Sequence, residues 1–282
     1  METVTSINEL KEKLNAVNSI KKLAFVPTMG ALHAGHIELI RKAKLNGAYT
    51  VCSIFVNPTQ FNDPNDYRLY PRNFIQDEVL LTNNFCDLLF IPVVSEIYPT
   101  NFNPPSYNLG SLEYHLEGQY RPGHFQGVCQ VVDRLISIIE PDELYLGKKD
   151  YQQCLVIEKM LKDQLHKKQV ELVKINTVRQ NDGLALSSRN LRLSNNGLIM
   201  ANKLFENLQL AAISFKEGSP WHEIESFHKK RILNFGFDKI DYFACYGIDN
   251  FEPIFEKTST PCIILTAVYL EGIRLIDNLE LF

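Results

Sequence analysis

The chain lacks an apolar run long enough to cross a membrane, and it lacks an excess of positive charge. Its 29 Lys and Arg residues stand against 33 Asp and Glu residues, which gives a net charge of −4. Residues 1–14 carry acids in a helical pattern, not a basic region followed by an apolar stretch, so we expect no signal peptide. These absences predict no membrane partner and no nucleic-acid partner.

Cysteine pairs at metal or redox spacing are also absent. The six cysteines are scattered without a CxxC pair, and most lie in apolar segments, where free thiols behave as small hydrophobes. This usage predicts a reducing, cytoplasmic location. The composition itself is ordinary, with 45% hydrophobic and 22% charged residues, and 282 residues exceed the usual length of one domain.

Apolar runs and helical patterns alternate through residues 1–176. Strands are predicted at 23–26, 50–56, 87–92, 143–146 and 170–175, and helices at 35–46, 73–84, 125–139 and 151–165. This βαβ succession predicts an α/β fold with a Rossmann-like parallel sheet, which binds ligands at the carboxyl ends of its strands. Residues 97–110 are crowded with Pro, Asn and Tyr and are predicted to form a long surface excursion.

The pattern changes in residues 177–282, which are predicted to form a smaller α+β domain. A polar loop at 179–190 precedes predicted helices at 195–216 and 220–235. Three alternating stretches at 240–246, 262–270 and 274–276 are typical of antiparallel strands. The sequence therefore predicts two domains, residues 1–176 and 177–282.

The most informative segment joins the first long strand to the helix after it. Residues 27–30 turn the chain, and His33 and His36 follow, three positions apart at the start of a helix. Residues at this spacing share a helix face, and the unpaired amides and dipole of a helix start attract anions. The pair therefore favours phosphate binding and chemistry at the α-phosphate of ATP.

Two other interpretations of this pair stay open at this point. An HxxH pair on a helix matches part of a zinc site, although the third protein ligand that a catalytic zinc normally requires is not evident nearby. In the second interpretation, both histidines are structural residues without a chemical role.

Polar groups also follow other predicted strands. Gln60 comes after an apolar strand, and its amide suits a small polar substrate, with ordinary turn chemistry as the alternative. After the fourth strand, Gly147 allows close backbone approach and Lys149 can neutralise phosphate charge. Asp150 either accepts from ribose hydroxyls or only caps a helix.

A third polar segment, residues 182–190, is a loop that contains glycine. Ser187, Ser188 and Arg189 bring two hydroxyls and a guanidinium, which can close over a triphosphate. A plain inter-domain loop is the alternative.

Together these segments resemble the pantothenate synthetase (pantoate–β-alanine ligase) family, and the matching blocks follow in order along nearly the whole chain. They are residues 26–36 (VPTMGALHAGH), 53–61 (SIFVNPTQF), 70–72 (YPR), 121–125 (RPGHF), 149–153 (KDYQQ), 182–185 (DGLA), 187–190 (SSRN) and 274–278 (RLIDN). The resemblance implies a fold of the HIGH-motif nucleotidyltransferase type, a homodimer, and a mobile C-terminal lid domain.

The resemblance also implies a reaction. Pantoate attacks the α-phosphorus of ATP to give an enzyme-bound pantoyl adenylate and pyrophosphate, and the amine of β-alanine then displaces AMP to form pantothenate. Mg²⁺ is implied as a cofactor that arrives with the ATP phosphates. No protein nucleophile is needed, so the enzyme contributes positioning and charge stabilisation.

Individual residues can be assigned by the same resemblance. The catalytic set is His33, His36, Lys149, Ser187, Ser188 and Arg189. The remaining ATP contacts are Pro27, Thr28, Met29, Gly30, Gly147, Asp150, Val178 and Leu186. The pantoate-binding residues are Gln60 and Gln153, and the further pocket positions are Asn57, Asp77 and Arg121. Asp77 is also an expected outer-shell contact of the magnesium ion.

The chain departs from the family pattern at three positions. Lys148 stands where the family usually has Glu, and a second lysine there either strengthens phosphate attraction or points into solvent, which we favour. Thr59 and Leu186 stand where Met occurs, and the Thr59 change bears on the apolar wall of the pantoate pocket.

Two functions of other kinds compete with this one. A small-molecule adenylyltransferase of the same fold would favour extra Arg or Lys for a phosphate acceptor, and the glutamines Gln60 and Gln153 argue against it. A non-catalytic nucleotide-binding or RNA-associated module would favour a basic tract interleaved with aromatics, which the acidic balance argues against.

Overall fold

The structure is a computed structural model that describes residues 1–17, 21–163 and 169–281. The chain divides into two compact units, Met1–Asn176 and Thr177–Phe282. The two units use different architectures, the first a parallel sheet between helices and the second an antiparallel sheet with two long helices.

The first unit is built on a six-stranded parallel sheet, so the predicted Rossmann-like α/β class is confirmed. Its strands are β1 (Glu2–Val4), β2 (Leu23–Thr28), β3 (Tyr49–Ile54), β4 (Leu88–Phe90), β5 (Glu143–Gly147) and β6 (Glu171–Ile175). They lie in the order β1-β4-β3-β2-β5-β6. The central strands are near-continuous apolar runs because both faces of the sheet are covered.

Helices cover the sheet on both sides. They are α1 (Ile7–Asn15), α2 (Ala34–Leu45), α3 (Pro64–Arg68), α4 (Phe74–Asn83), α5 (Val94–Ile97), α6 (Glu117–Tyr120), α7 (His124–Ile139) and α8 (Tyr151–Asp163). Alternate residues of β2 enter different cores: Phe25 packs with residues of α1, α7 and α8, whereas Val26 packs with residues of α2. The period of two along a strand produces this division.

The order of the strands creates a crevice beside β2. Strand β2 pairs with β3 on one side and with β5 on the other, so the connections after β2 and after β5 leave the sheet next to each other. Thr28 and Gly147 end these two strands at the same edge. In parallel α/β sheets such a switch point is where ligands bind.

The second unit contains helices α9 (Asn195–Glu217) and α10 (Trp221–Asn234) and the antiparallel strands β7 (Lys239–Gly247), β8 (Cys262–Leu270) and β9 (Ile273–Leu281). Its core includes Trp221, which stacks on Phe243 with ring centroids 5.8 Å apart. His228 is buried in the same core, and its Nδ1 lies 2.7 Å from the Asn207 Oδ1.

The observed elements differ from the predicted ones in a few places. Strand β1 was not predicted, and β9 runs on from the predicted residues 274–276 to Leu281. The predicted surface excursion at 97–110 begins at the end of the short helix α5. The last two residues of the helix predicted at 151–165 lie outside the described residues. In the part of the chain that the structure describes, no helix has both the length and the apolarity to span a bilayer.

Candidate active site

The turn after β2 has an unusual backbone. Thr28 donates from its hydroxyl to the Ser53 carbonyl at 2.7 Å and accepts the amide of Gly30 at 3.3 Å. Gly30 and Ala31 both have positive φ, +81° and +49°. An alanine seldom adopts this left-handed conformation, which costs of the order of 1–2 kcal/mol, so neighbouring contacts must hold the turn.

The start of α2 is capped by two histidines. The Nδ1 of His33 accepts the amide of Gly35 at 3.2 Å, and the Nδ1 of His36 accepts the amide of His33 at 3.3 Å. The two ring centroids are 4.0 Å apart. Because a backbone N–H only donates, each neutral ring carries its proton on Nε2, which is the nitrogen able to donate to a phosphate oxygen.

Both imidazoles are held neutral. Burial, then the neighbouring His36 and then the Lys149 ammonium lower the pKa of His33 to about 2. Burial and then Lys149 lower the pKa of His36 to about 4. The charge of Lys149, in the turn after β5, therefore acts on both histidines of the turn after β2.

Lys149 lies in a single 3-10 turn, Lys148–Asp150, between β5 and α8. Its Nζ is 3.3 Å from both carboxylate oxygens of Asp150, and its side chain is 18% exposed. Gly147 ends β5 just before this turn. Gln153, on the first turn of α8, is half-buried, whereas its neighbour Gln152 is buried and donates to the carbonyls of Leu112 and His115.

Gln60 sits in a short 3-10 turn that follows β3. Its Oε1 accepts from the Asn57 Nδ2 at 3.1 Å, and its Nε2 lies 3.2 Å from the Met29 sulfur. The structure therefore brings Gln60 beside the turn after β2. Asn57 is buried, and its Oδ1 accepts from the Tyr98 hydroxyl at 2.9 Å and from the Thr59 hydroxyl at 3.1 Å. These donors fix which end of the Asn57 amide faces Gln60.

Helix α7 packs directly against the backbone of this turn. A Cβ on Gly127 would lie 2.5 Å from the Thr59 carbonyl oxygen and 3.0 Å from the Gln60 Cα. The Gly127 carbonyl in turn accepts from the Asn57 Nδ2 at 3.1 Å. The absence of a side chain at Gly127 thus permits the contact that seats Gln60.

His124 was missed as a site residue, although it belongs to one of the matched blocks. It is 5% exposed, and its Nδ1 lies 2.8 Å from the Gln60 carbonyl oxygen. Arg121 reaches both the His124 Nε2 at 3.0 Å and the Gln60 carbonyl at 3.3 Å, and it pairs with Glu117. A histidine at the start of a helix, three residues after an arginine, was the available sequence signal.

Asp77 lies on α4, beneath the turn after β2. Its Oδ2 accepts the amide of Ala31 at 2.8 Å, and its Oδ1 accepts the amide of Leu32 at 2.6 Å. The side chain is 1% exposed. Burial raises the pKa of Asp77, and the hydrogen bonds from the Leu32 and Ala31 amides oppose that rise.

The predicted phosphate loop of the second unit is a small hairpin followed by a 3-10 turn. The Leu186 amide donates to the Val178 carbonyl at 3.1 Å, so these two expected adenine neighbours lie side by side. Ser187 caps the turn Ser188–Arg192 by accepting the Arg189 amide at 3.2 Å. Ser188 is buried, and Arg189 is half-buried.

Arg179 anchors this hairpin. It forms a two-pronged ion pair with Asp277 on β9, at 2.7 and 2.8 Å, and donates to the Gly183 carbonyl at 3.1 Å. Its guanidinium also lies 3.6 Å from the centre of the Phe205 ring.

No group of three or more His, Cys, Asp or Glu residues able to hold a metal occurs among residues 1–17, 21–163 and 169–281. The partial zinc match of His33 and His36 therefore gains no third ligand in this region. Asp77, the expected magnesium contact, gives one oxygen to each of two backbone amides. The described residues do not fit a magnesium ion caged by protein ligands, and magnesium often keeps its waters and phosphate ligands instead.

Comparison with known proteins gives consistent matches over the whole chain. The family model for pantoate–β-alanine ligase matches residues 2–280. The chain is 40% identical over 284 residues to the pantothenate synthetase of Cytophaga hutchinsonii, with 99% of each chain covered. It is 40% identical over 280 residues to the pantothenate synthetase of Thermosipho africanus, again with 99% of each covered.

Solved structures are similar to the same extent. The crystal structure of pantothenate synthetase from Thermus thermophilus gives a TM-score of 0.89 at 38% identity, covering 99% of both chains. The structure of pantoate–β-alanine ligase from Francisella tularensis, complexed with β,γ-ATP and β-alanine, gives a TM-score of 0.84 at 38% identity and covers 99% of this chain and 97% of that one.

Proposed function

This chain belongs to the pantoate–β-alanine ligase family, and from that membership we infer how its residues share the work of the reaction. It catalyses the ATP-dependent condensation of pantoate with β-alanine, which yields pantothenate, AMP and pyrophosphate. The observation that carries the assignment of roles is the pair of imidazoles at the start of α2, each of which accepts a backbone amide on Nδ1 and so keeps Nε2–H as a donor.

The first step forms the pantoyl adenylate. A carboxylate oxygen of pantoate attacks the α-phosphorus, and the bond from that phosphorus to the pyrophosphate oxygen breaks. Charge grows on the phosphoryl oxygens and the leaving group, and we assign its stabilisation to the Nε2–H donors of His33 and His36 and to the ammonium of Lys149. A neutral imidazole whose Nδ1 accepts a backbone amide still carries the Nε2–H that donates to a phosphate oxygen.

Pantoate is held by the turn after β3. Gln60 presents its Nε2 beside Met29 because Asn57 occupies the Oε1, and Gln153 supplies the second amide. Arg121 and His124 support the turn through the Gln60 carbonyl. These contacts position the pantoate carboxylate for attack.

The nucleotide contacts divide between the two units. The ATP-binding turn is Pro27, Thr28, Met29 and Gly30, and the ribose is assigned to Gly147 and Asp150. In the second unit, Val178 and Leu186 flank adenine, and Ser187, Ser188 and Arg189 engage the β- and γ-phosphates when residues 177–282 close as a lid. Residues 1–176 are accordingly the nucleotide- and pantoate-binding domain. The side-by-side pairing of Val178 and Leu186 supports their shared role at adenine.

The second step forms the amide. The amino nitrogen of β-alanine, having lost one proton, attacks the acyl carbon, the carbon–oxygen bond to AMP breaks, and the nitrogen loses a second proton. Mg²⁺ supplies charge neutralisation on the phosphates as MgATP. We place the reaction in the cytoplasm and in a homodimer, for which sedimentation should give twice the chain mass of 32.4 kDa.

Pantoate-dependent exchange of labelled pyrophosphate into ATP, without β-alanine, tests the adenylate step. Exchange with pantoate and Mg²⁺, followed by pantothenate and AMP on adding β-alanine, is the expected result. No exchange with pantoate and Mg²⁺ in a protein that still binds ATP, or a stable nucleotidyl product in place of an amide, would support the competing adenylyltransferase instead.

A further inference from the structure

The turn that carries the histidines depends on a carboxylate from a distant helix. Ala31 and Leu32 are buried, and their amides point at Asp77. Two successive amides in a turn with left-handed residues form an anion-binding concavity. Without an acceptor these buried amides would go unsatisfied, at a cost of about 1–3 kcal/mol each.

A carboxylate fits this concavity better than other side chains do. An ionised Asp has two oxygens that only accept, so each oxygen takes one amide, whereas an Asn would turn an NH2 group toward one of them. The fit is close: a Cβ on Gly30 would lie 3.1 Å from the Asp77 Oδ2. Asp77 also lies in the first turn of α4, where the helix dipole favours a negative charge.

The held segment leads directly into the catalytic pair. Leu32 precedes His33, whose own amide donates to the His36 Nδ1. A rotation of the peptides at Ala31 or Leu32 would therefore move both imidazoles. The positive φ of Ala31, +49°, means that the turn would relax if the acceptor were lost.

We propose that Asp77 is a positioning residue, whose buried carboxylate fixes the turn at Ala31 and Leu32 and so aims His33 and His36 at the ATP phosphates. This inference rests on the proposed role of the two histidines. Each carboxylate oxygen accepts one amide of the turn, so this role does not depend on the magnesium contact expected from the sequence.

The test compares Asp77→Asn with Glu78→Gln. Glu78 is the adjacent acid on the same helix, but it is exposed and accepts from the Thr3 hydroxyl at 2.7 Å, away from the turn. We expect Asp77→Asn to lower kcat for pantoate-dependent exchange by about 100-fold, since a misplacement of about 1 Å has this effect. Glu78→Gln should stay within about twofold of the parent, the normal scatter for a change outside the site.

Two further readouts separate positioning from metal binding and from a merely structural role. Raising Mg²⁺ should not restore the Asp77→Asn variant; restoration by Mg²⁺ would overturn the proposal. In the ligand-free protein, the ¹⁵N signals of His33 and His36 should shift in Asp77→Asn and not in Glu78→Gln. Unchanged histidine signals, or activity within about twofold of the parent, would also overturn it.

If Asp77→Asn fails to fold, the double variant A31G/D77N carries the same measurements, with Ala31→Gly as its reference. Glycine adopts a φ of +49° without strain, which lowers the cost of keeping the turn, whereas the amides of residues 31 and 32 still lose their carboxylate acceptor, so the histidine signals should still shift relative to Ala31→Gly. The NMR readout needs no turnover, so its outcome stands even if the wild-type protein shows no pantoate-dependent exchange, the result that would defeat the proposed function itself.

Discussion

The imidazoles of His33 and His36 lie 4.0 Å apart, and each accepts a backbone N–H on its Nδ1. The cap of helix α2 thus sets the tautomer of both rings, with the proton on Nε2. The amides of His33 and Gly35, at the start of α2, would otherwise face a bound anion. They donate to the two imidazoles instead, and each imidazole offers its own Nε2–H as the donor.

This arrangement predicts rings that do not titrate in the physiological range. Their pKa values of about 2 and about 4 lie below the ordinary value near 6.5, so both remain neutral in the folded protein. As pH falls below 6.5, the unfolded chain binds protons that the folded one does not, and the free energy of unfolding decreases. Histidine ¹⁵N spectra of the ligand-free protein should keep the Nε2–H pattern from pH 8 to pH 5.5. A midpoint near 6.5 in either ring would contradict the prediction.

Lys149→Ala should lower adenylate formation about 100- to 1,000-fold, which is the range seen when one transition-state donor is removed. Its side chain contacts Asp150 and is not part of a core, so the melting temperature should change little. Lys148→Ala is the matched control, because it removes the same charge from the preceding position and should keep most of the activity. Pyrophosphate exchange measures both, and near-normal exchange in Lys149→Ala would refute the assigned role.

Gln60→Ala should raise the KM for pantoate about tenfold and the KM for ATP much less, since a hydrogen bond to a charged group contributes about 1.5–3 kcal/mol. Initial-rate kinetics with each substrate varied in turn provide the measurement. A larger effect on ATP than on pantoate would mean that the pantoate pocket lies elsewhere.

Tyr98→Phe should also raise the KM for pantoate, but only about threefold, because it removes a neutral hydrogen bond. The Tyr98 hydroxyl donates to the Asn57 Oδ1 and so keeps the Asn57 Nδ2 directed at Gln60. Thr59→Ser, which retains the second hydroxyl on Asn57, should behave as the parent. If Tyr98→Phe and Thr59→Ser give equal pantoate KM values, the Tyr98 hydroxyl does not orient Asn57.

Asp277→Asn should destabilise the second unit by about 3–5 kcal/mol, because it leaves the Arg179 guanidinium without its buried partner. The Asp277 side chain is 3% exposed. Glu206→Gln weakens two solvent-accessible pairs, with Lys203 and with Arg231, and should cost less than about 1 kcal/mol. Urea unfolding followed by tryptophan fluorescence reports on this unit, since the single tryptophan, Trp221, lies in its core. Equal midpoints for the two variants would contradict the prediction.

The sequence was a good guide where hydrophobic periodicity determines structure. The buried runs of β2, β3 and β5 leave no alternative to central parallel strands, and the order of strands and helices was predicted correctly around them. It was a poor guide where a strand is defined by its partner. Strand β1 has three residues and exists because it pairs with β4. Strand β9 continues through the polar residues Asp277 and Asn278, which hydrophobic alternation does not mark.

The site residues, too, could be predicted from the sequence only in part. A motif can indicate that His33, Gln60 and Lys149 belong to one family pattern, but it does not state what holds each of them. Asp77 and His124 act on the backbone of segments 45 and 64 residues away. Such contacts depend on the folded arrangement of helices, so a sequence signal such as the spacing of Arg121 and His124 can mark a residue without stating what it contacts.

Gly127 has a consequence for how this protein can change over evolutionary time. Its missing side chain allows α7 to lie against the main chain that carries Gln60, and even a single methyl group would intrude on that main chain. Alterations of the pantoate pocket that begin with a substitution at this position would displace Gln60 before any compensating change arose. Substitution of Gly127 is therefore disfavoured. A change of acid substrate is expected to begin at side chains such as Thr59, whose substitution leaves the main chain in place.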